Sequence, residues 1–222
     1  MLYLHGATEW AGYSTDFVSR LKVAHRVVQP ERRGHGRTPD VSGELSFQNM
    51  ADDTVALIEQ LDLARPDLVG FSDGANIALM VAMSRPDLVG RIVAIGPNMS
   101  VAAFTEESRA WLDSVMPETW PAEYRQQYEL LSPDGPDHWQ VFAEKVIEML
   151  RREPEIPTEA LQAITAPTLV IGADRDMFEL EHFIAIHRAI TDCQLCIIPG
   201  ADHELTIGQP AQTAAHVLRF LE

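Results

Sequence analysis

At 222 residues the chain is long enough to enclose one sizeable core, and its apolar fraction of 46% with 23% charged residues excludes a disordered or fibrous protein. A formal net charge of -16, with only two lysines (Lys22 and Lys145) among 17 basic residues, argues against nucleic acid and anionic membrane surfaces as partners. The opening run Met1-Leu2-Tyr3-Leu4 stops at His5-Gly6, short of a signal peptide, and no run approaches the ~20 apolar residues of a membrane span, so a cytoplasmic protein is expected.

Short apolar runs alternate with amphipathic stretches, the pattern of a mostly parallel α/β sheet flanked by helices. The first strand is expected at 1–4 and turns at Leu4-His5-Gly6-Ala7, where the small residues allow close backbone approach. Helix 12–21 and a strand over 23–28 follow, the latter closed by Pro30. The polar loop holds Arg32-Arg33-Gly34-His35-Gly36; Pro39 stands where a dinucleotide loop needs its third glycine, so no such loop is expected. Ser46 is placed to cap a helix over 46–61, with Met50, Val55, Leu57, Ile58 and Leu61 at helical spacing.

The strand at 66–71 runs into Gly70-Phe71-Ser72-Asp73-Gly74 and then helix 73–84. A serine that attacks a carbonyl must project from a tight strand-to-helix turn, whose strained backbone admits only small residues two positions either side. Gly70 and Gly74 meet that need, which makes Ser72 the candidate nucleophile. The competing reading is a glycine-rich turn carrying an ordinary serine. Asp73 could supply one oxyanion N–H and the turn after the first strand the other, for which Ala7 is chosen. The hexapeptide Arg65–Gly70 recurs as Arg85–Gly90, but the two copies fall in different elements and imply no duplication.

After a strand at 91–95 comes Gly96-Pro97-Asn98, which lacks a carboxylate. From about 101 to 160 no good strand is found. Three of four tryptophans (Trp111, Trp120, Trp139) and many prolines lie there, so a helical cap inserted between strands is expected. Met99, Trp111 and Trp139 are candidate pocket walls, although as apolar residues they could equally be core. Strand 167–172 leads to Ala173-Asp174-Arg175-Asp176, which offers two carboxylates to orient a histidine. Helix 178–190 precedes a strand at 194–198. Cys193 and Cys196 should point to opposite faces of that strand and stay unpaired. His203 lies just beyond it, before helix 208–221, at the same strand end as Ser72, and is the candidate base. His203-Glu204 begins an H-E-x-x-H that Ile207 breaks, so no metal site is expected.

These segments together, Leu4-His5-Gly6, Arg32 to Thr38, Gly70 to Gly74, Ala173 to Asp176 and Pro199 to His203, resemble the α/β-hydrolase superfamily in order and spacing over nearly the whole chain. The cap and the Ser72-Asp73 pair look most like its biphenyl hydrolase-like branch, which includes valacyclovir hydrolase. The resemblance implies Asp176 rather than Asp174 as the acid. It also implies that Asp73 could hold a substrate ammonium group, against the alternative of a carboxylate merely stabilised by the helix N-terminus. Two strands normally precede the His-Gly strand in that family, so a sheet lacking its first two strands is expected. The function expected is cofactor-free hydrolysis of a small carboxylic ester through Ser72, His203 and Asp176. The alternatives are an α-amino-acid ester hydrolase or aminopeptidase, a lactone or C–C bond hydrolase, and a non-catalytic ligand binder on the same fold.

Overall fold

The computed structural model describes residues 1–222 and contains a five-stranded, wholly parallel sheet. The strands β1 (Leu2–Leu4), β2 (Leu68–Phe71), β3 (Ile92–Ile95), β4 (Thr168–Arg175) and β5 (Cys193–Asp202) lie side by side in chain order. Registers such as Leu4 opposite Gly70, Phe71 opposite Ile95 and Ile95 opposite Ile171 align their C-terminal ends along one rim.

Period-2 alternation divides the strand side chains between two cores. Leu2, Leu4, Leu68, Ile92, Ala94 and Val170 face one, with residues of α2 (Phe47–Gln60), α3 (Asp73–Ser84) and α7 (Leu180–Ala189). Tyr3, Val69, Phe71, Val93, Ile95 and Ile171 face the other, with α1 (Thr15–Leu21) and α9 (Pro210–Leu221). Buried on both faces, β1, β2 and β3 read as continuous apolar runs, while β5 at the edge is only partly buried.

Between β3 and β4 the chain builds α4 (Glu106–Ser114), α5 (Ala122–Leu131) and α6 (Trp139–Arg152), with a short 3-10 turn at Pro136–His138 between the last two. The α6 stripe Trp139, Phe142, Ala143, Val146 and Ile147 is buried at helical spacing. Asp40, in the loop before α2, ties this segment down by accepting from Lys145 Nζ (2.6 Å) and bonding His138 Nε2 (2.9 Å). The chain then passes from β5 through the short α8 (Leu205–Gly208) into α9.

Most expected elements are present, and the Ser46 side chain caps α2 by accepting from Asn49 N at 3.1 Å. The strand expected over 23–28 is not. Residues 22–25 are taken up by the end of α1, their N–H groups returning to Val18, Arg20 and Leu21, and Val23 is 86% exposed. Only Val28 reaches the sheet, as a single parallel bridge to Leu2. β4 and β5 instead run longer than their apolar runs, β4 to Arg175 across an irregularity at 173–175 and β5 through Pro199 and Gly200 to Asp202. Cys193 and Cys196, on β5, are free thiols.

Candidate active site

The rim where the strands end gathers the chemistry. Between β2 and α3 the backbone is so close that a Cβ on Gly70 would stand 2.2 Å from Gly74 O, and one on Gly74 would stand 2.0 Å from Leu4 O. Both glycines are therefore demanded by backbone contact, and the turn they permit holds Ser72 at φ 52° and ψ -119°, a strained conformation for a residue with a Cβ. The turn is held by Ser72 N donating to Ile95 O (2.8 Å) and Ala75 N donating to Ser72 O (2.8 Å).

Ser72 Oγ lies 3.0 Å from His203 Nε2, and His203 Nδ1 lies 2.8 Å from Asp176 Oδ1. With the Asp176 carboxylate accepting from Nδ1–H, Nε2 is left bare to accept the Ser72 proton. The Asp176 side chain is fully buried and is itself oriented by the N–H groups of Ala173 (3.3 Å) and Phe178 (3.4 Å). Asp174 instead accepts from Gly200 N at the surface, and Asp202 accepts from Glu204 N. Of the carboxylates near this turn, Asp176 is the one that bonds the imidazole.

The imidazole is confined on several sides. Phe71 and Phe178 rings stand 5.2 Å away, and a Cβ on Gly96 (φ +59°) would come within 2.8 Å of His203 Cε1. Burial works against its charged form, but the Asp176 charge and hydrogen bond, with Glu204 and Asp73 nearby, outweigh that and raise its pKa above the ordinary histidine value.

Ser72 and His203 open into a cavity of about 210 Å³ walled largely by apolar groups, including Phe104, Trp111, Trp120, Tyr124 and Phe178. The segment between β3 and β4 contributes much of this wall. Ala7 and Asp73 also line it. Ala7 N–H donates to no protein group, and Asp73 is the first residue of α3, where N–H groups lack an intrahelical acceptor. Asp73 is 2% exposed and its Oδ2 has no hydrogen-bond partner; burial, partly offset by Arg32 and His203, pushes its pKa up to about 6.

Of the expected pocket walls, only Trp111 lines the cavity, 42% exposed. Met99 turns into the core behind the Gly96-Pro97-Asn98 turn, with its N–H donating to His182 Nε2 (2.9 Å). Trp139 lies on the buried stripe of α6 against Tyr128 and Phe142, its indole N–H given to Pro117 O. Glu9, Trp120, Tyr124, Phe178 and Glu204 line the cavity without having been chosen as pocket walls from the sequence. Glu204, next to His203, is the one with a visible signal. Beside the cavity, and sharing Met177, His203 and Glu204 with it, runs an open depression rimmed by Glu106, Glu107, Asp174 and Asp202. No group of histidine, cysteine or carboxylate side chains has the spacing to hold a metal ion, and no helix is long and apolar enough to cross a membrane.

Known proteins resemble this chain along its length. A model described as "Alpha/beta hydrolase family" matches residues 1–216. The chain is 25% identical over 252 residues to the mouse (Mus musculus) sn-1-specific diacylglycerol lipase ABHD11, covering 100% of the chain and 80% of that protein. It is 26% identical over 205 residues to the human (Homo sapiens) serine hydrolase BPHL, covering 86% and 69%. Among solved structures, a serine hydrolase involved in carbazole degradation (the CarC enzyme) superposes with a TM-score of 0.79 at 21% identity, over 99% of the chain and 90% of that structure.

Proposed function

The chain belongs to the alpha/beta hydrolase family, and from that premise we propose that it is a serine hydrolase that cleaves small carboxylic esters through an acyl-enzyme on Ser72. The observation that carries this reading is the unbroken hydrogen-bonded line Ser72 Oγ–His203–Asp176 at the floor of an apolar cavity. His203 Nε2 takes the hydroxyl proton as Ser72 attacks the ester carbonyl, and Asp176 stabilises the imidazolium that forms. The N–H groups of Ala7 and Asp73 receive the oxyanion. The imidazolium then protonates the departing alcohol, and a water deprotonated by His203 releases the acid.

The helical segment between β3 and β4 acts as a cap, and the small volume of the cavity restricts the substrate to short acyl and alcohol groups. A cytoplasmic location belongs to the same proposal. The reading is tested with a fluorophosphonate probe and a panel of esters of graded acyl length. Labelling and turnover of short esters, both lost in Ser72→Ala, support it; folded wild-type protein that neither labels nor turns over is instead a ligand-binding relative.

A second reading narrows the substrate to α-amino-acid esters. The unpartnered, buried Asp73 Oδ2 in the cavity wall favours it, as does the acidic rim of the adjoining depression. An ammonium group would supply the missing partner of Asp73. Rates on esters of free and N-acetylated amino acids separate the two readings, since equal rates remove Asp73 as an anchor.

A further inference from the structure

The turn after β1 is held peptide by peptide, and the groups that hold it leave the Ala7 N–H without a protein acceptor at the cavity wall. In a trans peptide the C=O and the following N–H point in opposite directions, so fixing one end fixes the other. The His5–Gly6 peptide is pinned at both ends: Arg32 Nη1 donates to His5 O, and Gly6 N–H donates to Glu9 Oε2 at 2.7 Å. The Gly6–Ala7 peptide is pinned at its carbonyl, where Arg32 Nη2 donates to Gly6 O at 2.9 Å. A second donor reaches the same oxygen. Arg32 N–H donates to His5 Nε2 (3.3 Å), which places the ring proton on Nδ1, and Nδ1 lies 2.9 Å from Gly6 O. The opposite end of that peptide is Ala7 N–H, which has no protein acceptor and belongs to a residue lining the cavity with Ser72.

From this geometry we propose that Arg32 and Glu9 are positioning residues that aim the Ala7 N–H at the reacting carbonyl oxygen. The inference rests on the hydrolase reading and on Ala7 as an oxyanion donor. Arg32 is suited to the task because its planar fork can hold two successive carbonyls at once, which a lysine ammonium on a flexible stem does not reproduce. Both side chains are almost wholly buried, 6% exposed for Arg32 and 2% for Glu9, and the turn is held from within by Glu9 and from the distant loop by Arg32. The Thr8 backbone (φ 55°) and the Trp120 indole N–H on Thr8 Oγ1 (3.1 Å) lock the next residue of the turn. The Ala7 N–H is thereby preorganised and needs no reorientation when the oxyanion forms.

The test begins with wild-type ester turnover and Ser72 labelling; their absence removes the hydrolase reading, and this inference with it. Where both are present, Arg32→Met is compared with wild type for kcat per labelled site, KM, melting temperature and inhibition by a substrate-like trifluoromethyl ketone, whose adduct with a serine carries the oxyanion. The expected result is a kcat lower by roughly 10–100-fold, less than complete loss of an oxyanion donor costs. KM changes little, and the ketone's Ki rises by the same factor as kcat falls. Arg32→Lys falls between. If Arg32→Met does not fold, the pair Glu9→Gln and Glu9→Leu decides, since both remove the ionisable carboxyl but only leucine removes the acceptor of Gly6 N–H. Glu9→Gln should then exceed Glu9→Leu in kcat by about tenfold. A folded, fully labelled Arg32→Met with wild-type kcat, or equal kcat in the two Glu9 variants, overturns the assignment while leaving the hydrolase reading in place.

Discussion

Replacing Asp73 by asparagine should stabilise the protein, and more so at high pH than at low. Asp73 is buried with Oδ2 unpartnered, and its pKa is raised from an ordinary 3.8 to about 6. A carboxyl raised in the folded state prefers its neutral form there, so its contribution is most favourable below the unfolded value and is lost as pH rises through the folded one. The gap between 3.8 and about 6 corresponds to about 3 kcal/mol of penalty on the wild type well above pH 6. At pH 5 the same relation leaves about half of that, and by pH 4 well under 1 kcal/mol. Asparagine has nearly the same shape and carries no charge, so it escapes this penalty. Urea unfolding of wild type and Asp73→Asn at pH 8, 6.5 and 5 measures the difference directly, with equal m-values as the control for unchanged compactness. A variant whose stability gain is the same at all three pH values, or is negative at pH 8, refutes the reasoning.

Four further outcomes are expected. Asp176→Asn should lower kcat by about 10⁴-fold with the fold intact, because the imidazole loses the acceptor that sets its tautomer. In the wild type the rate should rise with pH through the raised His203 value, above 6.5, and in residual Asp176→Asn activity that limb should move to lower pH. Gly74→Ala should cost about 4 kcal/mol or more or yield no folded protein, read by circular dichroism, since the added Cβ meets Leu4 O at 2.0 Å. Gly96→Ala should displace the imidazole, so kcat falls much further than its modest drop in melting temperature would imply.

What the sequence made legible was mostly what sequence neighbours decide. Gly70, Ser72 and Gly74 are two residues apart, and the contact that demands Gly70 forms within one strand-turn-helix unit, although the one that demands Gly74 is with Leu4 O of β1. Strand runs such as Ile92–Ile95 are apolar because both their faces are buried, so composition alone identifies them. Residues 23–28 show the opposite case. Val23, Val27 and Val28 favour a strand, but the end of α1 takes up the first half and the outer edge supplies no second neighbour. In the segment between β3 and β4, Trp111, Trp120 and Trp139 look alike as residues. Whether one faces the cavity or the core depends on how α4, α5 and α6 settle against the sheet. Asp174 and Asp176 could not be separated by the residues alone, because the irregularity at 173–175 decides which carboxylate turns inward. The Arg32 contacts on the β1 turn reach His5 and Gly6 from a distant loop while the Glu9 contact lies within the turn, and all of them end on backbone atoms, which leave no trace in side-chain pattern.

The central claim is that Ser72 carries the acyl group during turnover. Mixing the protein with an activated short-chain ester, quenching in acid and sequencing the peptides by mass spectrometry examines that bond itself. The acyl mass should appear on the peptide containing Ser72 and be absent in Ser72→Ala. Sustained hydrolysis without any adduct, at a rate unchanged in Ser72→Ala, would contradict it.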